Sequence, residues 1–301
     1  MPVVETQIQH REVMPFFCRR EEEGGLGYRE TEPNIISDDL FIPSQLKEFV
    51  SKNSPRAWSA LRNKYNGDET ALVNALKEEI KRRILATSNV ATFFNTNKSI
   101  TFEGENVTLF YVSGTETTGD ADFKKNIFSA VEEMSHTIRC DGVKIETVRP
   151  DISFFLNGIF IGYMELKSIT NGQNAKDDGR GKVIGDYLEC VKFLADRAAA
   201  APECLELPSR RQTLYLFMKG IHITACDINE TYVIRNIDSL FDDAKNGFLD
   251  GTASFSNLRP MFDKIFKLYP ITSELLSVNQ RFDEVMKALY SKKMIEKEIL
   301  F

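Results

Sequence analysis

The chain is 301 residues long, with 42% hydrophobic and 27% charged residues and a formal net charge of −6. This is the balance of an ordinary folded protein of one large or two smaller domains, and it excludes the disordered and fibrous classes. A net negative charge argues against a protein that coats nucleic acid over its whole surface, but it leaves room for a local basic groove or for carboxylates gathered around a divalent cation. The longest apolar runs, such as residues 152–156, fall far short of the ~20 residues that a bilayer requires, and the N-terminus lacks a signal-peptide core, so a cytoplasmic protein without membrane contact is expected. The five cysteines form no CxxC pair, and their odd number fits reduced thiols. His10, His136 and His222 show no metal-binding spacing. Any metal chemistry must therefore rest on oxygen ligands.

Residues 1–40 combine a charged run, 19–23, with Gly24, Gly25 and Gly27, and read as an irregular arm. Pro43 opens a helix carrying Leu46, Phe49 and Val50, and a second short helix holds Trp58 and Leu61. The strongest helix signal covers about 68–86, where Leu72, Leu76, Ile80 and Ile84 recur at helical spacing behind Asp68 as N-cap. After Asn97 the period changes, with strands expected at 99–102 and 107–112, a polar loop at 113–123 and strand over 126–139. Residues 151–156 and 159–166 are two apolar strands around Asn157-Gly158, the strongest short hairpin signal, and their apolar character on both faces places them inside a sheet. A polar loop at 169–182 precedes a helix over 183–200 with Tyr187, Val191 and Leu194 on its core face. Further strands are expected at 213–218, 221–226 and 232–234, and helix over about 256–300. The expected division is an arm (1–40), a main domain (41–250) and a C-terminal helical segment (251–301).

The segment RPDISFFLNGIFIGYMELK carries the chemistry. Asp151 and Glu165 offer the hard oxygen ligands that Mg²⁺ prefers, and the Leu166 carbonyl adds a third. Glu165 and Lys167 lie two apart, so on a strand they share a face, and the ammonium stands beside the metal-bound water that it can orient or help to deprotonate. A Pro-Asp pair or a Glu-x-Lys on a strand is common by chance; here, however, the three charges interrupt runs that otherwise look buried, and buried charges need partners or a metal. The hairpin also poses a problem of register. With a strict two-residue turn Asp151 faces Met164, and the two carboxylates point to opposite faces of the sheet. A shared metal requires a one-residue offset, expected as a three-residue loop with a bulge at Gly158 or as a bend at Pro150-Asp151.

This arrangement resembles that of the PD-(D/E)xK nucleases, and the segment is similar to the nuclease motif of the restriction and motor subunit of type I restriction-modification enzymes. Weaker likeness extends over about 40–270. The resemblance implies an α/β fold with a restriction-endonuclease-like core, a central mixed β-sheet flanked by helices, and additional N- and C-terminal helical segments. It implies Mg²⁺-dependent cleavage of double-stranded DNA, with Mn²⁺ able to substitute, by Asp151, Glu165 and Lys167. It also implies modification and specificity subunits as partners, and ATP-driven motor domains in the full-length protein. No GxxxxGK[S/T] phosphate loop is present, and the chain ends on KEILF, so a piece of a longer polypeptide is expected. The family's Gln-x-x-x-Tyr helix motif maps to Val183 and Tyr187, a departure at the glutamine. Tyr187 is the candidate for its DNA contact, and Arg180 and Lys182, just ahead of the helix, are candidates for phosphates. The alternatives are a non-catalytic module that docks subunits or DNA and keeps a remnant site, and a nuclease acting on RNA or branched DNA.

Overall fold

The structure, a computed structural model, describes residues 12–87, 89–114, 120–140, 143–168, 171–200, 220–234, 241–252, 260, 266–269 and 278–300. The helices of the first third follow the apolar periodicity. After α1 (Met14–Cys18) and strand β1 (Arg29–Glu30) come α2 (Pro43–Asn53), α3 (Pro55–Lys64) and α4 (Glu69–Leu85). Pro43 and Pro55 occupy first-turn positions, where the missing N–H costs nothing. The Asp68 carboxylate caps α4 by accepting from the Ala71 N–H at 3.0 Å. A further helix, α5 (Val90–Thr96), occupies a stretch to which the sequence reading assigned no helix, and Asn89 caps it.

The strands β2 (Ser99–Phe102) and β3 (Glu105–Thr108) form a separate hairpin, its second strand shorter and earlier than the expected 107–112. The expected strand over 126–139 divides into β4 (Phe128–Glu132) and β5 (His136–Cys140), and β5 pairs with β6 (Val143–Val148). Next come β7 (Ile152–Leu156), β8 (Ile159–Leu166), helix α6 (Arg180–Ala200), β9 (His222–Cys226) and β10 (Thr231–Ile234). The chain continues through α7 (Phe241–Leu249), β11 (Phe266–Tyr269), α8 (Val278–Tyr290) and α9 (Lys292–Leu300). The expected strand at 213–218 lies outside the described residues. The expected all-helical C-terminus is corrected by β11, which pairs with β10.

The main sheet runs β1-β4-β7-β8-β9-β10-β11. It is mixed: β4, β7 and β8 form an antiparallel meander, while β8 and β9 are parallel and connected through α6. This is the restriction-endonuclease-like core expected from the sequence. All residues of β7 and β8 are buried, in keeping with their lack of a polar face. Both chain ends close over the sheet. Phe17 of α1 and Tyr290 of α8 stack against Phe154, with ring centroids 4.9 and 4.5 Å away, and the Tyr28 hydroxyl donates to the Tyr290 carbonyl at 2.8 Å. The expectation of an irregular arm is thereby corrected for residues 12–40: Phe16, Phe17, Leu26 and Tyr28 belong to the core, and β1 pairs with β4. No helix among the described residues is long and apolar enough to cross a membrane.

The β7–β8 hairpin resolves the register problem at a different place from the one expected. Its turn is a strict two-residue loop: Leu156 pairs with Ile159, and Asn157 and Gly158 have φ of 52° and 81°, as a type I′ turn demands. The turn is held inside the protein. The fully buried Asn157 side chain accepts from the Ile127 N–H at 2.7 Å and donates to the Leu109 carbonyl at 2.8 Å. The offset arises further along. Phe155 pairs with Phe160 but Phe154 pairs with Gly162, so Ile161 is an extra residue, a β-bulge in the middle of β8. Gly162, at φ 150°, lies so close to β9 that a Cβ there would sit 2.0 Å from the His222 carbonyl oxygen. Replacing Gly162 by alanine forces apart two central strands, and Gly162→Ala is expected to destabilise the protein by about 3 kcal/mol or more in urea unfolding. An effect below about 1 kcal/mol contradicts this account of the bulge.

Candidate active site

Beyond the bulge each residue of β7 faces the partner one step later in β8, and Ile152 pairs with Met164. Asp151, one residue before Ile152, therefore falls opposite Glu165. Its backbone is fixed by the Glu133 N–H, which donates to the Asp151 carbonyl at 2.9 Å, and its carboxylate accepts from the Leu166 N–H at 2.5 Å. On the other side, β9 continues the ladder through Cys226, whose carbonyl accepts from the Lys167 N–H at 2.8 Å. Leu166 turns into the core, while Glu165 and Lys167 share the opposite face. Lys167 Nζ lies 2.7 Å from Glu165 Oε1 and 3.0 Å from the Leu166 carbonyl. The bulge at Ile161, with the strand alternation beyond it, thus brings Asp151, Glu165, Lys167 and the Leu166 carbonyl together.

A fourth side chain joins them. Lys182 Nζ donates to both oxygens of Glu165 at 2.7 Å and to the Arg149 carbonyl at 3.2 Å. The expectation that Arg180 and Lys182 lie in a loop ahead of the helix is corrected, because α6 begins at Arg180 and continues a π-helical turn, Ala175–Gly179. The Asn174 side chain caps that turn by accepting from the Asp177 N–H at 2.7 Å, and Asp178 accepts from the Asn174 N–H at 2.8 Å. The cap signature was present in the sequence as N-A-K-D-D, but the glycines beside it read as a loop. Arg180 is buried, its guanidinium 4.6 Å from the Tyr232 ring centroid and its Nε donating to the Lys176 carbonyl at 2.6 Å. Tyr187 is 1% exposed, on the core face that its helix period predicts, and this burial is at odds with the DNA contact that the family motif implies for it. Lys182, one of the three candidates for DNA contact, reaches the site through Glu165.

Asp227, which the sequence reading did not single out, holds the start of α6 in place. Its buried carboxylate accepts from the N–H groups of Ala175 at 2.7 Å, Asn229 at 2.7 Å and Glu230 at 2.9 Å. The β9–β10 turn is thereby tied to the π-helical turn. Gly179 then passes over the sheet so closely that a Cβ there would lie 3.1 Å from Ala225 and 3.4 Å from Lys167. Asp227→Ala leaves three amide donors without their acceptor, and a loss of about 2–4 kcal/mol in chemical unfolding is expected. A loss below about 1 kcal/mol contradicts the clamp.

Burial beside Glu165 pushes the Asp151 carboxyl up to about 7, against the lowering effects of the Leu166 N–H, Lys167 and Lys182. Its folded value lies above its unfolded one, so the native state keeps the proton longer. The contribution of this one group to stability is therefore fully present below about pH 4, is lost as pH rises towards 7, and is level above that. Asp151→Asn keeps an acceptor for the Leu166 N–H and removes this loss. In chelator, the variant is expected to exceed the parent by about 4 kcal/mol at pH 8 and to match it near pH 4. Parallel stability curves contradict the assignment.

The donor set has the chemistry of a hard cation site. It comprises two carboxylates and one backbone carbonyl, all oxygens, and among the described residues no group of three or more His, Cys, Asp or Glu side chains competes with it. Mg²⁺ uses such sparse protein ligation, with waters and substrate phosphate completing its shell. The residues therefore fit the ion that the sequence pattern implies. In comparisons with known proteins, the family described as type I restriction enzyme R protein N terminus matches residues 24–189, a span that contains every residue of the site. No curated protein and no solved structure matches the chain.

Proposed function

The chain belongs to the family of type I restriction enzyme R protein N termini, and from that premise we propose that its site hydrolyses phosphodiester bonds of double-stranded DNA with Mg²⁺, or Mn²⁺ in its place. The observation that carries this reading is the bulge at Ile161, which sets Asp151 opposite Glu165 with Lys167 on the same face. Asp151, Glu165 and the Leu166 carbonyl would hold the cation. When bound, it neutralises charge developing on the phosphate and makes water a nucleophile near neutral pH. Lys167 is held by Glu165 and the Leu166 carbonyl, so its ammonium stands beside the donor set, where it donates a hydrogen bond to the attacking water or a phosphate oxygen. At 10% exposure the Lys167 side chain also limits bulk water on that side.

Translocation by ATP-driven motor domains, and DNA sequence choice through modification and specificity subunits, belong on this reading to the complete cytoplasmic enzyme. A second reading, a docking module with a remnant site, draws on the engagement of Glu165 by two lysines. Plasmid cleavage by the complete restriction complex separates the two. Asp151→Ala and Lys167→Ala are expected to lower the Mg²⁺-dependent cutting rate by about 10³-fold or more while assembly with the other subunits is unchanged. Unimpaired cutting by either variant sinks the nuclease reading.

A further inference from the structure

Glu165 is 2% exposed, and its carboxylate accepts from two ammonium groups. Lys167 donates to Oε1, and Lys182 donates to both oxygens. Three of the roughly four lone-pair directions of a carboxylate are therefore taken by lysine protons. Only one direction, on Oε2, is left for a divalent cation, and an ion bound there would sit beside the Lys182 ammonium that shares the same oxygen and repels it. One lysine has to give way.

The two are not equally free to do so. Lys167 lies on a central strand, with its backbone bonded to the Cys226 carbonyl, its Nζ bonded to the Leu166 carbonyl and its side chain 10% exposed. Lys182 reaches in from the first turn of α6 with a side chain that is 38% exposed, and besides Glu165 its ammonium meets the Arg149 carbonyl at 3.2 Å. The helix start itself is anchored by Asp227 and Asn174, so the flexible four-carbon stem of Lys182 can swing outward without disturbing the backbone.

We propose that Lys182 is a displaceable counter-ion of Glu165 that keeps the cation affinity of the site low. The inference rests on the cation-dependent nuclease reading and assigns Lys182 a role that the catalytic triad does not contain. Lys182 acts through Glu165 and is a positioning residue. Because the ammonium and the cation compete for the same oxygens, removing the ammonium tightens cation binding. A general loss of structure would weaken it.

The test is a titration of this chain with Mn²⁺, with free ion followed by electron paramagnetic resonance, for the parent, K182M, K182R and E165Q, and for E165Q combined with K182M. K182M is expected to bind Mn²⁺ at least tenfold more tightly than the parent, K182R to resemble the parent, and E165Q to abolish binding in both backgrounds. Should K182M fail to fold, K182Q replaces it with the same expectation. If binding depends on Glu165 but K182M binds no more tightly than the parent, the role of Lys182 is overturned and the cation site stands. If Mn²⁺ binding ignores E165Q, or occurs in none of the proteins, the cation site falls and the role of Lys182 falls with it.

Discussion

The close approach of Gly162 to the His222 backbone, with the extra residue Ile161 beside it, sets the phase of every side chain from there to Lys167. Side chains alternate along a strand with a period of two, so one inserted residue moves everything beyond it to the other face relative to β7. Without the insertion, Asp151 would face Met164 and the carboxylates would diverge. With it, the same residues gather two carboxylates, a backbone carbonyl and an ammonium at one end of two buried strands. The contact that makes room for the insertion is between backbones, and it requires a residue without a side chain at position 162.

The second dependency runs through the parallel pair. Because β9 lies beside β8, the Cys226 carbonyl holds Lys167, and the turn after β9 presents Asp227 to the start of α6. The helix that carries Lys182 is thus positioned by the strand that supports Lys167. Charge follows from this geometry. Two carboxylates and two ammonium groups share a largely buried space, and burial first, with the Glu165 charge second, raises the Asp151 carboxyl against the pull of both lysines.

Much of this was legible in the sequence wherever the signal was local. The two unbroken apolar runs around Asn157-Gly158 specified the hairpin and its burial, and the spacing of Glu165 and Lys167 specified their common face. The need for a one-residue offset followed from the chemistry, but its location did not. Gly158 and Gly162 are both glycines in an apolar run, and only the passage of His222, some sixty residues later, distinguishes them. The same limit explains the other corrections. Phe17 read as part of an arm because its partner Tyr290 lies near the other end of the chain. Residues 266–269 read as helix because their strand character comes from pairing with β10. The helix period placed Tyr187 on the core face, as found, and its expected DNA contact came from the family motif alone; α6 was expected to start later because Gly179 and Gly181 signal a loop, where Gly179 in fact permits close packing on Ala225.

The central claim is that one inserted residue builds a cation site between strands that would otherwise separate its ligands. The most direct measurement is the anomalous scattering of a crystal of this chain soaked with Mn²⁺. The account predicts a peak within coordination distance of the Asp151 and Glu165 carboxylates and the Leu166 carbonyl, with Lys182 turned away from Glu165. Density showing those carboxylates on opposite faces of the sheet, or a Mn²⁺ peak only elsewhere on the protein, would contradict it.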